Sequence, residues 1–299
     1  MKRHTLAKIG AAVGAVALVT TLASCSGGGS DEEASKTIKL GFIPSWTDGR
    51  STAYLLEDQL GKLGYDVEMV ELTDAGPLYT GLSKGDVDIY PSAWNERTHA
   101  SYMEDLGENL EDLGAYYDNA KLTITVPSYV DIDSIDELKD NADMFGGEII
   151  GIEPGAGLTK TTQESMIPEY GLEDDYKLIT SSTAGMVTEL DKAIKNEEPI
   201  VVTLWRPFWP YGTYDLKDLE DPKGAMGETE ALHFLGREGF SEDYADVAEL
   251  IAGIKLDDTT YGSLEDTVVN EHEEGDEPAA IDEWIDANPE AFETLIPNE

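Results

Sequence analysis

Short runs of apolar and β-branched residues alternate along the chain with segments of helical periodicity. Such runs, bounded by turn residues, are typical of buried strands. The predicted strands are Ile38–Ile43, Tyr65–Leu72, Val87–Tyr90, Leu122–Val126, Glu148–Ile152, Tyr176–Ile179, Ile200–Leu204 and Ala231–Leu235. The predicted helices are Ser51–Leu63, Asp74–Ser83, Gly157–Ile167, Gly185–Lys195, Tyr244–Ile254, Ser263–Glu274 and Pro278–Ala287. This alternation predicts an α/β fold whose sheet is mostly parallel.

The alternation of strand and helix restarts in the middle of the chain, which predicts two α/β lobes. The chain would cross between them twice, near Leu122–Pro127 and near Leu232–Gly236. We expect residues 37–124 plus 233–299 to form lobe I and residues 125–232 to form lobe II. Two crossovers would leave a hinged cleft that can close on a small solute.

Three of the five tryptophans, Trp46, Trp94 and Trp205, follow the ends of apolar runs. Ligands of α/β sheets bind beyond the carboxyl ends of the strands, so three indole rings are expected to meet in one crevice. Indole faces attract cations, quaternary ammonium groups above all, by ~0.5–2 kcal/mol per ring. Trp209 is expected to support this site from behind, and Trp284, on an amphipathic helix, to belong to the core.

Residues 149–160 combine a strand, a glycine-rich turn and the start of a helix. The free backbone N–H groups of such a turn suit an anion, although a plain tight turn fits the spacing equally well. His99, five residues after Trp94, is a candidate hydrogen-bond donor to a ligand oxygen, with a capping or surface role as the alternative. Asp48 is predicted to be a turn or helix N-cap residue.

The N-terminus is predicted to be a secretory signal spanning residues 1–24, with basic residues before the apolar stretch Ile9–Val19. Cys25, the only cysteine, follows Leu-Ala-Ser in a way that resembles the lipobox of bacterial lipoproteins. We expect a lipid on its sulfur; the alternative is an ordinary signal peptide with an incidental cysteine. Residues 25–36 are rich in Gly, Ser and acids and are expected to be a flexible tether.

The chain has 62 acidic and 20 basic residues, a formal charge of −42. Nucleic acid and anionic membrane surfaces are therefore poor partners. H-E-x-x-H does not occur, and the histidines lack the spacing of metal ligands. We accordingly expect no catalytic residue, no cofactor and no metal. A hydrolase with paired carboxylates stays open, because so many acids make any one pair uninformative.

Several stretches, in order along the chain, resemble the substrate-binding lipoproteins of glycine betaine/proline betaine ABC importers. The similarity runs over essentially the whole chain after the signal. The first stretches are Ile43-Pro44-Ser45-Trp46, Asp74-Ala75-Gly76-Pro77, Gly85-Asp86-Val87-Asp88, and Ser92-Ala93-Trp94 with Thr98-His99. The later ones are Gly155-Ala156-Gly157-Leu158, Pro199–Thr203 with Trp205, Tyr214–Lys217, Leu219–Pro222 and Gly236–Phe240.

This resemblance implies the two-lobed periplasmic-binding-protein fold of type II, with two chain crossovers at the hinge. It assigns a cage for the ligand's ammonium group to Trp46, Trp94 and Trp205. It assigns the ligand carboxylate to the N–H groups of Gly157 and Leu158 and to His99. Asn95-Glu96-Arg97, Arg206 and Phe208 depart from the usual family pattern, which leaves the preferred solute open.

The function that the resemblance implies is that of a solute-binding protein that captures glycine betaine for uptake, and thus osmoprotection, without catalysing a reaction. It would act outside the cytoplasm as a monomer, lipid-anchored to the bacterial cell membrane beside an ABC permease. Alternative ligands are choline or carnitine, or a sugar or peptide, because tryptophan also stacks on sugar rings. A salt-adapted scaffold without a ligand is a further alternative.

Overall fold

The computed structural model describes residues 37–289 and Ile296. The predicted signal, the tether and Cys25 lie outside these residues. Within the described part, no helix is both long and apolar enough to cross a bilayer.

The strands form one continuous hydrogen-bonded ladder, in the order β2-β1-β3-β9-β4-β7-β5-β6, with β8 beside β4. Their bounds are β1 Thr37–Phe42, β2 Asp66–Glu71, β3 Ile89–Ala93, β4 Leu110–Pro127, β5 Glu148–Ile150, β6 Lys177–Ile179, β7 Val202–Arg206, β8 Leu216–Asp218 and β9 Glu230–Arg237.

Helices connect most of these strands and close the chain. The α-helices are α1 Thr47–Lys62, α2 Ala75–Lys84, α3 Ala100–Leu106, α4 Gly157–Thr161, α5 Ile167–Tyr170, α6 Thr183–Asn196, α7 Pro210–Thr213, α8 Phe240–Asp243, α9 Ala245–Gly253, α10 Asp258–Asp266 and α11 Glu277–Ala287. Tighter 3₁₀ turns lie at Gly107–Asn109, Ile135–Glu137 and Lys139–Phe145, and wider π turns at Thr162–Met166 and Thr267–Glu271.

Two parallel groups of strands flank the antiparallel pair β4 and β9. β1 pairs in parallel with β2 and β3, and β5 pairs in parallel with β6 and β7. We name the β1, β2, β3 and β9 side lobe A and the β5, β6, β7 and β8 side lobe B. Strand β4 pairs with β9 over Leu110–Ala120 and with β7 over Lys121–Thr125, so it runs from lobe A into lobe B. The residue boundaries expected for lobes I and II stay a prediction.

Strand β4 is much longer than the segment Leu122–Val126 that the sequence predicts. It begins at Leu110, and its pairing with β9 shifts register three times. One irregularity lies at Gly114, which has a φ of +113°. Glycine adopts this backbone conformation readily, whereas residues with a side chain would be strained. Because bulges break the alternation of apolar and polar positions, the first half of β4 carries no strand pattern.

Two helical predictions needed correction, and one helix was missed. The predicted helix Gly157–Ile167 is interrupted by a π turn, as α4 and α5 flank Thr162–Met166. The predicted helix Ser263–Glu274 begins earlier, at α10, because the Asp257 side chain caps it by accepting from the N–H groups of Thr259 and Thr260. Helix α3 was not predicted; it is only seven residues long and none of them is fully buried, although Tyr102, Met103 and Leu106 pack against the core.

The core prediction for Trp284 is confirmed. Its side chain is 1% exposed, and its Nε1 donates to Ser263 Oγ at 2.8 Å, which joins α11 to α10. Both helices pack against α1, whose Leu55 and Leu56 are fully buried. The Glu265 carboxyl group of α10 also accepts a hydrogen bond from the Thr47 hydroxyl, so the C-terminal helices hold the start of α1, which directly follows Trp46.

Candidate ligand-binding site

Two of the three candidate tryptophans lie just after strand ends. Trp46 precedes α1 and follows β1 by four residues, and Trp94 directly follows β3. Trp205 lies inside β7, where it pairs with Leu122 of β4, rather than beyond the strand end that the sequence predicts. Lobe A thus supplies Trp46 and Trp94, and lobe B supplies Trp205.

All six residues assigned to the ligand line one cavity between the lobes. Its volume is about 30 Å³. The assigned residues are Trp46, Trp94, His99, Gly157, Leu158 and Trp205. The other lining residues are Asp48, Thr98, Leu122, Ile152 and Ala156. The sequence assignments therefore converge in space, although the ligand role of each residue stays a prediction.

The indole rings are held by different contacts. Trp205 is 4% exposed and stacks on Phe208, with ring centroids 3.9 Å apart. Trp94 is 5% exposed, whereas Trp46 is only partly buried and stacks against the His99 ring at 6.2 Å. Phe208 therefore backs one wall of the cavity, and His99 adjoins another.

Trp209 does not line this cavity. It contacts Phe208 edge-on at 6.2 Å and faces a different cavity of about 480 Å³, together with Arg206, Tyr211 and Glu265. Arg206 lies over the Tyr211 ring and donates through Nε to Asp218 Oδ2 at 2.8 Å. Arg206 and Tyr211 are thus both engaged with Asp218, and Trp209 lies against the Phe208 ring that stacks on Trp205. The supporting role of Trp209 stays a prediction.

His99 is almost fully buried, at 2% exposure. Its Nδ1 accepts from the Trp94 backbone N–H at 3.2 Å and lies 3.0 Å from the Tyr79 hydroxyl. Burial lowers the pKa of His99 to about 3, because the charged imidazolium would be desolvated. The ring that lines the cavity is therefore neutral at physiological pH.

The glycine turn leaves backbone N–H groups free at the start of α4. Ala156 N donates to Glu153 O at 3.1 Å, and Lys160 N donates to Ala156 O at 3.1 Å. Among the described residues, the N–H groups of Gly157 and Leu158 have no acceptor. First-turn N–H groups of this kind are suited to an anion.

Gly157 also brings the two lobes into close contact. A Cβ atom at this position would lie 2.2 Å from the Thr98 carbonyl oxygen of lobe A. Real Cβ atoms do not approach an oxygen so closely, so only glycine permits this approach. The turn is therefore shaped for contact with lobe A as well as for its free N–H groups.

Asp48 is not the N-cap that the sequence predicts. It is the second residue of α1, its side chain is 3% exposed, and its Oδ2 accepts from Ser92 Oγ at 2.8 Å. Burial raises the pKa of Asp48 above its ordinary value, although the Ser92 and Gly49 hydrogen bonds oppose this. This carboxyl group lines the cavity, a position that its local sequence does not reveal.

Two buried glutamates position the cavity walls, and sequence reasoning missed both. Glu230, at the start of β9, accepts from Arg97 N at 3.0 Å and from Thr98 N and the Thr98 hydroxyl. It thereby fixes the loop that leads to His99. Glu153, before the glycine turn, accepts from Trp46 Nε1 at 3.1 Å. These partners are more than 100 residues apart in sequence, so no local signal identifies them.

Residues 36–287 match the protein family described as the substrate-binding domain of ABC-type glycine betaine transport systems. Over 159 residues, 52% of this chain, the sequence is 38% identical to the glycine betaine/carnitine transport binding protein GbuC of Listeria monocytogenes. That match covers 51% of the relative, so the chain spans about half the length of this curated protein.

Two solved structures have the same fold. The glycine betaine/L-proline-binding protein ProX of Borrelia burgdorferi is similar with a TM-score of 0.79 and 34% identity, over 88% of this chain and 97% of that one. Lactococcal OpuAC, in a closed conformation with glycine betaine, is similar with a TM-score of 0.78 and 28% sequence identity. That match covers 85% of this chain and 97% of the OpuAC chain. The predicted two-lobed binding-protein fold of type II is thereby confirmed. The chain belongs to the family of substrate-binding domains of ABC-type glycine betaine transport systems.

Proposed function

We propose that this protein captures glycine betaine, or a related quaternary-ammonium solute, outside the cytoplasm and delivers it to an ABC importer. The observation that carries this proposal is that tryptophans from both lobes, a neutral histidine and a glycine turn line the same cavity. The proteins to which the chain is similar are named for glycine betaine, with carnitine or L-proline as further solutes.

The aromatic end of the cavity suits a trimethylammonium group. Such a cation cannot donate a hydrogen bond and sheds water easily, so the faces of Trp46, Trp94 and Trp205 attract it by ~0.5–2 kcal/mol per ring. The buried Asp48 carboxyl group lies in the same wall and adds negative potential when ionised. Because the cavity excludes water, this attraction is screened little by salt.

The other end of the cavity suits a carboxylate. The N–H groups of Gly157 and Leu158 are free among the described residues, and His99 carries its remaining proton close by. Hydrogen bonds to an ionised acceptor are stronger than those between neutral groups. A zwitterion with both ends satisfied is therefore preferred over choline, which lacks the carboxylate.

Binding requires movement of the lobes. A cavity of about 30 Å³ holds a water-sized molecule but not a betaine. We propose that the lobes separate about β4 and β9 to admit the solute and then close on it. Trp205 comes from lobe B and the other two rings from lobe A, so the cage is complete only after closure.

A membrane-bound ABC permease is the proposed partner of the closed, liganded monomer. A lipid on Cys25 would hold the protein at the cell membrane beside the permease. Replacement Cys25→Ser should release the protein from the membrane fraction of the producing cells without changing solute affinity. Membrane retention of that variant would contradict the lipid anchor and leave the binding proposal standing.

Tryptophan fluorescence tests the proposed function, because three of the five tryptophans line the cavity. The purified protein is titrated with glycine betaine, proline betaine, choline, carnitine and ectoine. We expect saturable changes with the betaines and weaker binding of choline. Binding of maltose-like sugars with none of the betaines would contradict the proposal, as would a loss of solute through turnover.

A further inference from the structure

Glu153 joins the two lobes through its carboxylate. The residue lies in lobe B between β5 and α4 and is 7% exposed. Each of its oxygens accepts one hydrogen bond from each lobe. Oε1 accepts from Ser45 Oγ at 3.1 Å and from Thr183 N at 2.9 Å. Oε2 accepts from Trp46 Nε1 at 3.1 Å and from Thr183 Oγ1 at 2.8 Å.

The two hydrogen bonds within lobe B and the two that cross between the lobes are expected to respond differently when the cleft opens. Thr183 is the first residue of α6 and lies in lobe B with Glu153, so these two hydrogen bonds persist when the cleft opens. Ser45 and Trp46 lie in lobe A, so the proposed separation of the lobes would break their bonds to Glu153. The carboxylate is thus held ready in lobe B before closure.

We propose that Glu153 is a positioning residue that couples lobe closure to the orientation of the Trp46 ring. This inference rests on the proposed function, because it gives Trp46 a role in the cage. The bond to Nε1 fixes the plane of the indole, and that plane decides which face the ring presents to the cavity. Glu153 does not contact the ligand; it acts through Trp46.

The chemistry of the four donors makes the carboxylate hard to replace. Hydrogen bonds to an ionised acceptor are about twice as strong as neutral ones, and a buried donor left unpaired is costly. A glutamine at this position keeps the shape but has one oxygen only. The Thr183 N–H, a donor that cannot turn away, would take that oxygen, and the amide NH₂ would then face the Trp46 Nε1–H.

The effect is expected in ligand release. The lobe-crossing bonds form after the solute has entered, so their loss leaves the association rate nearly unchanged and speeds dissociation. In Glu153→Gln we expect glycine betaine to dissociate about 10-fold faster, with an association rate within about twofold of the wild type.

A double-mutant cycle separates positioning from general support of the fold. Trp46→Phe keeps an aromatic face but removes the Nε1–H donor, so adding Glu153→Gln to it should cost far less affinity than Glu153→Gln alone.

Asp221→Asn is the matched control. Asp221 accepts from Tyr170 OH at 2.6 Å and from Met226 N at 2.7 Å, both in lobe B. Its replacement should lower thermal stability without changing the dissociation rate.

Stopped-flow measurement of the association and dissociation rates of glycine betaine tests the role of Glu153. The proteins compared are the wild type, the two single variants, the double variant and the Asp221→Asn control. Faster dissociation in Glu153→Gln, non-additive with Trp46→Phe, supports the proposal. Unchanged dissociation in Glu153→Gln, or fully additive effects, overturns the role of Glu153 and leaves the proposed function intact. Absence of solute binding by the wild type overturns the proposed function and the Glu153 role together.

Discussion

The backbone N–H of Trp94 donates a hydrogen bond to Nδ1 of His99, 3.2 Å away. Because burial lowers the pKa of His99 to about 3, the ring is neutral and carries a single proton. Nδ1 is the acceptor in this bond, so the proton resides on Nε2. The backbone of Trp94, a residue of the proposed cage, thereby sets the tautomer of His99.

Nitrogen-15 NMR of the histidine side chains is expected to show His99 as the neutral Nε2–H tautomer from about pH 5 to 8. An ordinary histidine would titrate near pH 6.5. Replacement His99→Asn keeps an acceptor near Trp94 N but removes the Nε2–H donor, and should weaken glycine betaine binding about 10-fold. His272→Asn, far from the cavity, should leave the affinity unchanged. Titration of His99 near neutrality would contradict the tautomer assignment.

Replacement Gly157→Ala should strongly weaken betaine binding, because the new Cβ would meet the Thr98 carbonyl oxygen at 2.2 Å and hold the lobes apart. We expect a loss of at least about 10-fold in affinity, with little change in the melting temperature. Gly61→Ala is the control, since no atom lies within 4 Å of the added Cβ. Calorimetric titration of both variants checks this. Equal affinities would show that the contact does not control closure.

Glu265 should make the protein less stable as the pH rises. Burial raises its pKa from the ordinary 4.5 to about 8, although the hydrogen bond from Thr47 opposes the shift. The folded state holds this proton more tightly than the unfolded state. The protonated Glu265 side chain therefore makes its full contribution to the free energy of unfolding below about pH 4.5, and this contribution is lost by about pH 8.

Urea unfolding of Glu265→Gln at pH 5, 6, 7 and 8 measures this effect. The neutral variant should gain stability relative to the wild type as the pH increases. Glu189→Gln, at an exposed position paired with Lys192, should follow the wild type throughout. Parallel profiles for wild type and Glu265→Gln would mean that the carboxyl group titrates normally.

Replacement Trp94→Ala should lower betaine affinity by about 10-fold or more, because one ring of the cage is lost. The backbone N–H that holds His99 is retained, so the change reports on the indole face. Trp209→Phe serves as control, since Trp209 does not line the cavity. Unchanged affinity in Trp94→Ala, measured by calorimetry, would remove this residue from the cage.

The sequence predicted those parts of the molecule that depend on local patterns. The apolar runs located seven of the strands closely, and the positions of Trp46 and Trp94 after strand ends put both in the cleft. Strand β4 was predicted too short, because its bulges near Gly114 break the alternation on which strand prediction depends.

The supporting contacts of the site could not be predicted. Asp48 and Ser92 are 44 residues apart, and Glu153 and Trp46 are 107 residues apart. Among 62 acidic residues, a buried carboxylate has no local signature that separates it from a solvated one. Only the packing of one lobe against the other shows which acids the cavity uses.

The most direct test of the account compares glycine betaine with 3,3-dimethylbutanoate, which has the same shape but a carbon in place of the nitrogen. The cage is proposed to recognise the positive charge, through three indole faces and the buried Asp48. Calorimetric titration of the wild-type protein should show betaine binding at least about 100-fold more tightly than this analogue, which keeps the carboxylate but lacks the ammonium charge. Equal affinities would contradict the account, because the cavity would then recognise shape alone.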